Sequence, residues 1–262
     1  MDELDQSKRL SQERFGKYAQ GYVTSQTHAA SYELDLLASL AEAEPHWRML
    51  DIATGGGHTS LHFAWLVNQV VAVDLTEAML KAARGYHASK GAANLVYTSA
   101  DAENLPFPAE SFDLVTCRIA AHHFPDVAAF VAEGARVLRR GGRFVFQDQV
   151  VPDDHEAGRF VNEFERKRDP SHHLAYDRQR WLEFFERVGL KVSVDQIIQK
   201  QQNFLNWAQM QNCSKETMAE LVEMALNSPP IAHQWLRPEN FSNTSSATFR
   251  NQHIVLLALK DQ

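Results

Sequence analysis

The stretch from Met49 to Asp74, MLDIATGGGHTSLHFAWLVNQVVAVD, decides the fold. Met49 to Ile52 is a short apolar run carrying one carboxylate, Asp51. Gly55-Gly56-Gly57 follows, where a backbone without Cβ can take positive φ and come close to a ligand. From His58 to Asn68, the residues Leu61, Phe63, Ala64, Leu66 and Val67 form a buried helical stripe. Val70-Val71-Ala72-Val73 is apolar throughout, as in a parallel strand covered on both faces, and it ends at Asp74. The reading is strand, glycine loop, helix, strand, acid. Ligands of open α/β sheets bind beyond the carboxyl ends of the strands, so the glycine loop and Asp74 belong to one site.

Charge decides what that site holds. A dinucleotide fold would carry Gly-x-Gly-x-x-Gly and set a pyrophosphate on the helix N-terminus. Here Ser60 stands where the third glycine would be, and Asp51 precedes the loop. A carboxylate there repels pyrophosphate and suits a cation. S-adenosyl-L-methionine (SAM) carries a sulfonium and an ammonium and no phosphate. Asp51-x-x-x-Gly55-x-Gly57, followed by Asp74 at 17 residues beyond Gly57 (74 − 57), resembles the first two motifs of the class I SAM-dependent methyltransferases.

The rest of the chain extends the resemblance. Thr76 is a plausible N-cap for a helix from Glu77 to Ser89, which Gly91 ends. Leu95 to Thr98 reads as a third strand, then Ala100-Asp101-Ala102-Glu103 and Leu105-Pro106-Phe107-Pro108, similar to the third motif of the family. Ser111 to Cys117 is a fourth strand. It delivers Arg118-Ile119-Ala120-Ala121-His122-His123-Phe124 to the carboxyl edge. Asp126 can cap a helix to Leu138, Gly141-Gly142 breaks the chain, and Phe144-Val145-Phe146 leads to Asp148-Gln149. Alternating strands and helices imply right-handed crossovers and a parallel sheet. Ala53 departs from the family, where a further glycine is common.

The fold expected is α/β: a Rossmann-like, doubly wound, mostly parallel seven-stranded sheet with an antiparallel last strand and helical cap insertions. The expected division is a helical N-terminal lid over 1–44, a SAM-binding core over 45–150, the second half of the sheet in 151–198 and 247–262, and a helical cap over 199–246. In the leader the opening is polar and frayed, Phe15, Tyr18, Tyr22 and Val23 recur at helical spacing, and a second helix runs from His28 to Leu40. Tyr18 and Tyr22 are candidate lid residues, or pack the leader onto the core; Phe15 is read as packing. Beyond the core, Arg159–Arg168 and Arg178–Val188 read as helices, the latter capped by Asp177, and Val192–Ile198 and Phe249–Leu259 as strands. Helices near Phe204–Met210 and Lys215–Leu226 occupy the cap, with Pro229-Pro230 closing the second. Trp207, Met210 and Trp235 either line an apolar pocket or pack the cap down.

Composition excludes several classes. The chain has 262 residues, 44% of them hydrophobic, enough for one domain with a sizeable core. A net charge of −7 leaves no footprint for nucleic acid. Two cysteines without a Cys-x-x-Cys, Cys117 and Cys213, fit a reduced cytoplasm. No signal peptide and no membrane-length apolar run is visible. A monomer or homodimer without nucleic-acid or integral-membrane partners is expected.

The resemblance, to small-molecule methyltransferases related to ubiquinone and menaquinone biosynthesis enzymes, implies a cofactor, SAM, and a small, partly apolar or aromatic methyl acceptor attacked at carbon or oxygen. It implies that Asp51 orients the glycine loop and the methionine amino group and that Gly55 and Gly57 admit the cofactor. It also implies that Asp74 accepts the ribose hydroxyls, that Leu75 and Ala102 flank adenine, and that Asp101 reads its amino group. Ala53, Arg118 and Tyr22 complete the cofactor-side set, although Arg118 could equally bind an acidic acceptor or pair with a carboxylate. His122 and His123 are the candidate bases, only one of which can face the reaction space; the alternative is that they brace the loop. Asp148 is read as a structural cap and His172-His173 as a solvated loop pair. No metal site is expected. A non-catalytic SAM-binding protein carries the same motifs and stays open, while Ser60 and Asp51 disfavour a nucleotide-dependent dehydrogenase.

Overall fold

In the computed structural model, which describes residues 3–24 and 31–262, five strands run parallel in the first half of the chain. They are β1 (Arg48–Ile52), β2 (Gln69–Asp74), β3 (Leu95–Ser99), β4 (Phe112–Arg118) and β5 (Leu138–Gln149). β6 (Leu190–Asn203) and β7 (Thr248–Lys260) complete a seven-stranded sheet in the order β3-β2-β1-β4-β5-β7-β6. β7 alone runs against the other six strands, as the sequence predicts. The order reverses between β1 and β4, which pair through Met49↔Leu114 to Ile52↔Cys117. That switch point opens the crevice in which open α/β sheets bind ligands.

Helices cover both faces. On one side α2 (Ser31–Ala41) and α3 (His58–Ala64) bury Leu37 and Phe63 against Met49, Val70, Leu114 and Val145. On the other, α5 (Val127–Val137) and α7 (Arg178–Arg187) bury Phe130, Trp181 and Phe185 against Leu50, Val115, Phe144 and Phe146. The alternation of 144 and 146 against 145 is the period-two pleat read directly from burial. Helix starts follow side-chain chemistry: Asp126, Asp154 and Asp177 each accept the N–H three residues on. Thr76 holds the cap position of α4 (Glu77–Ser89) but makes no side-chain cap bond.

Several expected boundaries move. The helix α1 (Glu3–Thr24) is regular from Glu3, so the polar opening is not frayed there. The expected start of the second helix at His28 lies outside the described residues. α3 stops at Ala64, and Trp65 and Leu66 stay exposed because the chain turns early towards β2. Gly141-Gly142 bends β5 rather than ending it: Gly141 takes φ +73, and the pairing with β4 slips between Phe112 and Leu114. α6 (His155–Arg168) begins one turn before the expected Arg159, at the Asp154 cap. β6 continues to Asn203 because it pairs with β7 residue by residue as far as Thr248.

The cap therefore spans residues 204–247 and holds three helices: α8 (Phe204–Gln209), α9 (Lys215–Leu226) and α10 (Pro230–Leu236). Pro230 starts α10 instead of closing α9, since its missing N–H costs nothing in a first turn. Trp207 stacks on Phe164 at 5.2 Å and is buried in a second core between α6 and the cap, which also takes Trp235. Trp207, Met210 and Trp235 all lie off the main cleft; Trp207 and Trp235 pack into the second core, and Trp235 also lines a smaller pocket beside α6 and α10.

Candidate active site

One cleft dominates the carboxyl edge of β1, β2, β3 and β4, with about 1020 Å³ of empty space, its mouth included. Asp51 reaches it from β1, fully buried. Its Oδ2 accepts the hydroxyls of Thr54 at 2.7 Å and Ser60 at 2.9 Å, and its Oδ1 that of Thr116 at 2.7 Å. The two residues that break the dinucleotide pattern, Asp51 and Ser60, are thus bonded to each other. Burial raises the Asp51 pKa, and the three hydroxyls work against that shift. Ala53 takes φ +52, the left-handed region that favours glycine, at the position where the family commonly has one.

The glycine loop is shaped from two sides. Gly55 takes φ +55, lines the cleft, and its N–H donates to Asp74 Oδ2 at 2.9 Å. Gly56 meets the end of α1: a Cβ there would lie 2.8 Å from the Tyr22 carbonyl carbon. Gly57 does not line the cleft. Its φ is +83, and a Cβ would lie 2.3 Å from His87 Nε2, so what lies behind the loop already requires a glycine here.

Asp74 ends β2 on the cleft wall, and Thr76 N–H donates to its Oδ1 at 2.9 Å. Burial pushes its pKa up to about 6, against the pull of the two N–H donors. Leu75, Asp101 and Ala102 line the same end. Asp101 turns the chain by accepting Glu103 N–H at 3.0 Å and pairs with Lys8 of α1 at 2.6 Å. Lys8 also pairs with Glu103 at 2.5 Å.

At the opposite end stand Arg118, Ile119 and His123. Arg118 Nε donates to Thr59 Oγ1 at 3.0 Å, and Nη1 lies 3.5 Å from the buried Glu33, which Lys200 meets at 2.7 Å. The guanidinium lines the cleft and is paired with a carboxylate at once. Ile119 takes φ +55, an unusual cost for a β-branched residue. The two imidazoles that follow it stay close, their ring centroids 4.1 Å apart, but they take different partners. His122 points away from the cleft into a buried pair with Asp148, Nδ1 to Oδ1 at 2.5 Å. Burial opposes charge on His122, but the Asp148 carboxylate outweighs it and raises the pKa. His123 lines the cleft, and its Nδ1–H donates to the Ser171 carbonyl at 2.9 Å. Burial, and then the charge on His122, push His123 down to about 4. Asp148 also accepts His122 N–H at 3.1 Å, which fixes the turn.

The expected solvated pair His172-His173 is not one. His172 is buried and bonds Asn162 at 2.8 Å, its pKa well below the ordinary value through burial. His173 is half-buried.

Sequence reasoning named Tyr22 but missed Lys8 and Ser11 on the same helix. Lys8, Ser11, Phe15 and Tyr22 are spaced 3, 4 and 7 apart, one helix face, and all four line the cleft. Phe15 is therefore a wall residue, while Tyr18 is not. Ser11 Oγ is buried without a hydrogen-bond partner among the described residues. That orphan, two carboxylates at Asp74 and Asp101, Asp51 beneath the loop, and cations already paired suit a ligand rich in donors and free of phosphate. They fit SAM.

No helix among the described residues is long and apolar enough to cross a membrane, and none of their His, Cys, Asp and Glu clusters could hold a metal ion. A family model described as a methyltransferase domain matches residues 50–146. An uncharacterized methyltransferase of Bacillus subtilis, YcgJ, is 41% identical over 171 residues, 65% of this chain and 68% of that protein. The crystal structure of protein BH2331 from Bacillus halodurans superposes with TM-score 0.84 at 36% identity, covering 88% of this chain and all of that one (100%). The ubiquinone/menaquinone C-methyltransferase UbiE of Saccharophagus degradans is 37% identical over 111 residues, 41% of this chain and 45% of that enzyme. Given the glycine loop, the two strand-end acids and the strand order they sit on, the chain belongs to the class I SAM-dependent methyltransferases.

Proposed function

We propose that this enzyme methylates carbon or oxygen of a small, partly apolar or aromatic molecule, with His123 as the base. The observation that carries this reading is the state of His123. Its Nδ1–H is committed to the Ser171 carbonyl, so Nε2 keeps a lone pair in the cleft; burial and the His122 charge make it a weak base, so its contribution comes from placement rather than proton affinity. Phe15 lies edge-on to that ring at 4.9 Å and Phe124 lines the same end, so the acceptor meets flat apolar walls. His122 serves as a brace, its cationic form held by Asp148.

When bound, SAM supplies an electrophilic methyl group. Asp74 would hold the ribose hydroxyls, Asp101 the adenine amino group, Leu75 and Ala102 the adenine faces, and Gly55 with Asp51 and Ala53 the methionine end. Tyr22 and the α1 face would close the cleft and exclude water. His123 Nε2 takes the proton the acceptor loses. Arg118, already paired with Glu33, orients the end of the cleft rather than demanding an anionic acceptor. The leader (1–44) acts as the lid and the 204–247 cap braces it, through Gln211, which donates to Tyr22 Oη at 3.1 Å and Asp169 at 2.7 Å. The protein works in the cytoplasm as a monomer or homodimer, without nucleic acid.

The test is release of S-adenosylhomocysteine over a panel of phenols, enols and aromatic acids, with wild type, His123→Gln and His122→Gln. A base at this position contributes about 10²–10⁴-fold. His123→Gln should lose at least ~10²-fold in kcat with SAM affinity kept, and turnover near wild type would end the assignment. If no acceptor in a wide panel is methylated although SAM binds, the non-catalytic binding protein becomes the better reading.

A further inference from the structure

The structure assigns a positioning role to His87, which, held by Tyr97, fixes the glycine loop from behind. This rests on the proposed cofactor site and names what sets that site's shape.

His87 lies on α4 and is fully buried, outside the cleft. Its Nε2 is 2.7 Å from the Gly57 carbonyl oxygen, which can only accept, so Nε2 carries the hydrogen. Nδ1 is then the acceptor and takes the Tyr97 hydroxyl hydrogen at 2.7 Å. The chain of bonds runs from Tyr97 on β3 through His87 on α4 to the loop after β1, one direction throughout. The Tyr97 ring is itself stacked on the His87 ring at 5.7 Å and covered by the Arg84 guanidinium at 4.7 Å. Burial lowers the His87 pKa, so the ring is neutral and this single tautomer persists.

The Gly57 carbonyl also accepts Leu61 N–H at 2.9 Å, the first turn of α3. One oxygen therefore ties the loop's end to two helices. Fixing it fixes the φ +83 turn at Gly57 and, through the Gly57 N–H to Thr54 carbonyl bond at 2.9 Å, the span that carries Gly55. Gly55 donates to Asp74. His87 thus governs the separation of the loop from the acid that closes the site, without touching any ligand. The missing Cβ at Gly57 makes room for this ring, so glycine and histidine form one device.

The experiment compares His87→Leu with His87→Gln, two chains of similar size, of which only Gln can donate to the Gly57 carbonyl. Titration calorimetry with SAM and S-adenosylhomocysteine gives Kd; steady-state kinetics give the KM for SAM against kcat. Losing one buried hydrogen bond predicts roughly a tenfold rise in Kd and KM for SAM in His87→Leu, with kcat nearly kept. His87→Gln should return Kd to within about threefold of wild type. Leu and Gln binding alike, whether both weak or both tight, overturns the donor role. Tyr97→Phe keeps the packing and removes only the hydroxyl, so it serves even if His87→Leu does not fold; it should weaken SAM about threefold, and unchanged Kd overturns the relay. If wild type itself fails to bind SAM, the cofactor site has failed and not the positioning of its loop.

Discussion

The two ends of the cleft are built in opposite ways. The end proposed for the cofactor is assembled from three successive strand ends, and many of its bonds join near neighbours: Thr54 and Ser60 to Asp51, Gly55 to Asp74, Glu103 to Asp101, with Thr116, His87 and Lys8 reaching in from farther along the chain. The end proposed for the acceptor is assembled from afar. His123 leans on Ser171, Arg14 pairs with Asp169, and Tyr22 meets Gln211, 189 residues away. A site of local bonds is specified by a motif. A site of distant bonds is specified only by the finished fold, and that is where related enzymes can change the substrate while keeping the cofactor.

The largest expected effect tests whether the local end is as tightly specified as its geometry implies. Gly57→Ala and Gly91→Ala place a Cβ at similar φ, +83 and +77, but only the first meets an obstacle, His87 Nε2 at 2.3 Å. Strain in the left-handed region costs ~1–2 kcal/mol at either position. Overpacking adds ~1–3 kcal/mol at Gly57 alone. Urea unfolding should show Gly57→Ala as the more destabilised by that amount, with SAM binding lost. Equal losses would mean the loop yields and the specification is loose.

Asp74 comes next. Asp74→Ala removes the acceptor at the end of β2 and should weaken SAM by ~1–3 kcal/mol in titration calorimetry, with NAD binding absent before and after. Unchanged SAM affinity would move the ribose elsewhere and break the equation of the β2 acid with the cofactor end.

The same residue gives a pH dependence with a defined sign. Burial holds the Asp74 pKa at about 6 in the protein without ligand. Hydroxyl donors favour the ionised carboxyl, so SAM affinity is full above that value and falls as pH drops through it, approaching tenfold per unit. Asp74→Asn should flatten the profile. A limb that survives in Asn would point to Asp51, whose pKa burial also raises. His123, pushed down to about 4, adds nothing near pH 6, so the limb separates the two ends of the cleft.

What the sequence made legible follows the same division. The strand order and the placement of Asp51, Gly55, Asp74 and Asp101 at one edge are written in period-two apolar runs and short spacings, and those patterns are local. The sequence also shows that His122 and His123 cannot face the same way, but not which faces the cleft. That is settled by partners far along the chain, Asp148, 26 residues on, capturing His122, and Ser171, 48 residues on, holding His123. His172 reads as solvated because nothing nearby in the chain announces Asn162 as its partner. Lys8 and Ser11 sit in a polar opening whose helical face becomes visible only with Phe15 and Tyr22 taken at the same spacing. Gly57 reads as a ligand-approach glycine because the histidine behind it lies 30 residues away.

The smallest effect asks whether the leader, the most remote contributor, belongs to the cofactor end at all. Lys8 reaches 93 residues along the chain to Asp101 and also pairs with Glu103. Burial disfavours its charge, but the two carboxylates outweigh that and raise its pKa, so the ion pairs persist through neutral pH. Both ends are partly exposed, side chains at 23% and 30%, which limits the pair to ~0.2–1 kcal/mol. Lys8→Ala should therefore leave the unfolding midpoint almost unchanged. If α1 closes over bound adenine, that small energy appears as two- to fivefold faster SAM dissociation in stopped flow, about what ~0.4–1 kcal/mol gives. The gap between variant and wild type should close as salt rises, because charges this exposed are screened. A midpoint that falls while the dissociation rate holds would make Lys8 a packing contact, and would take the leader out of the cofactor end.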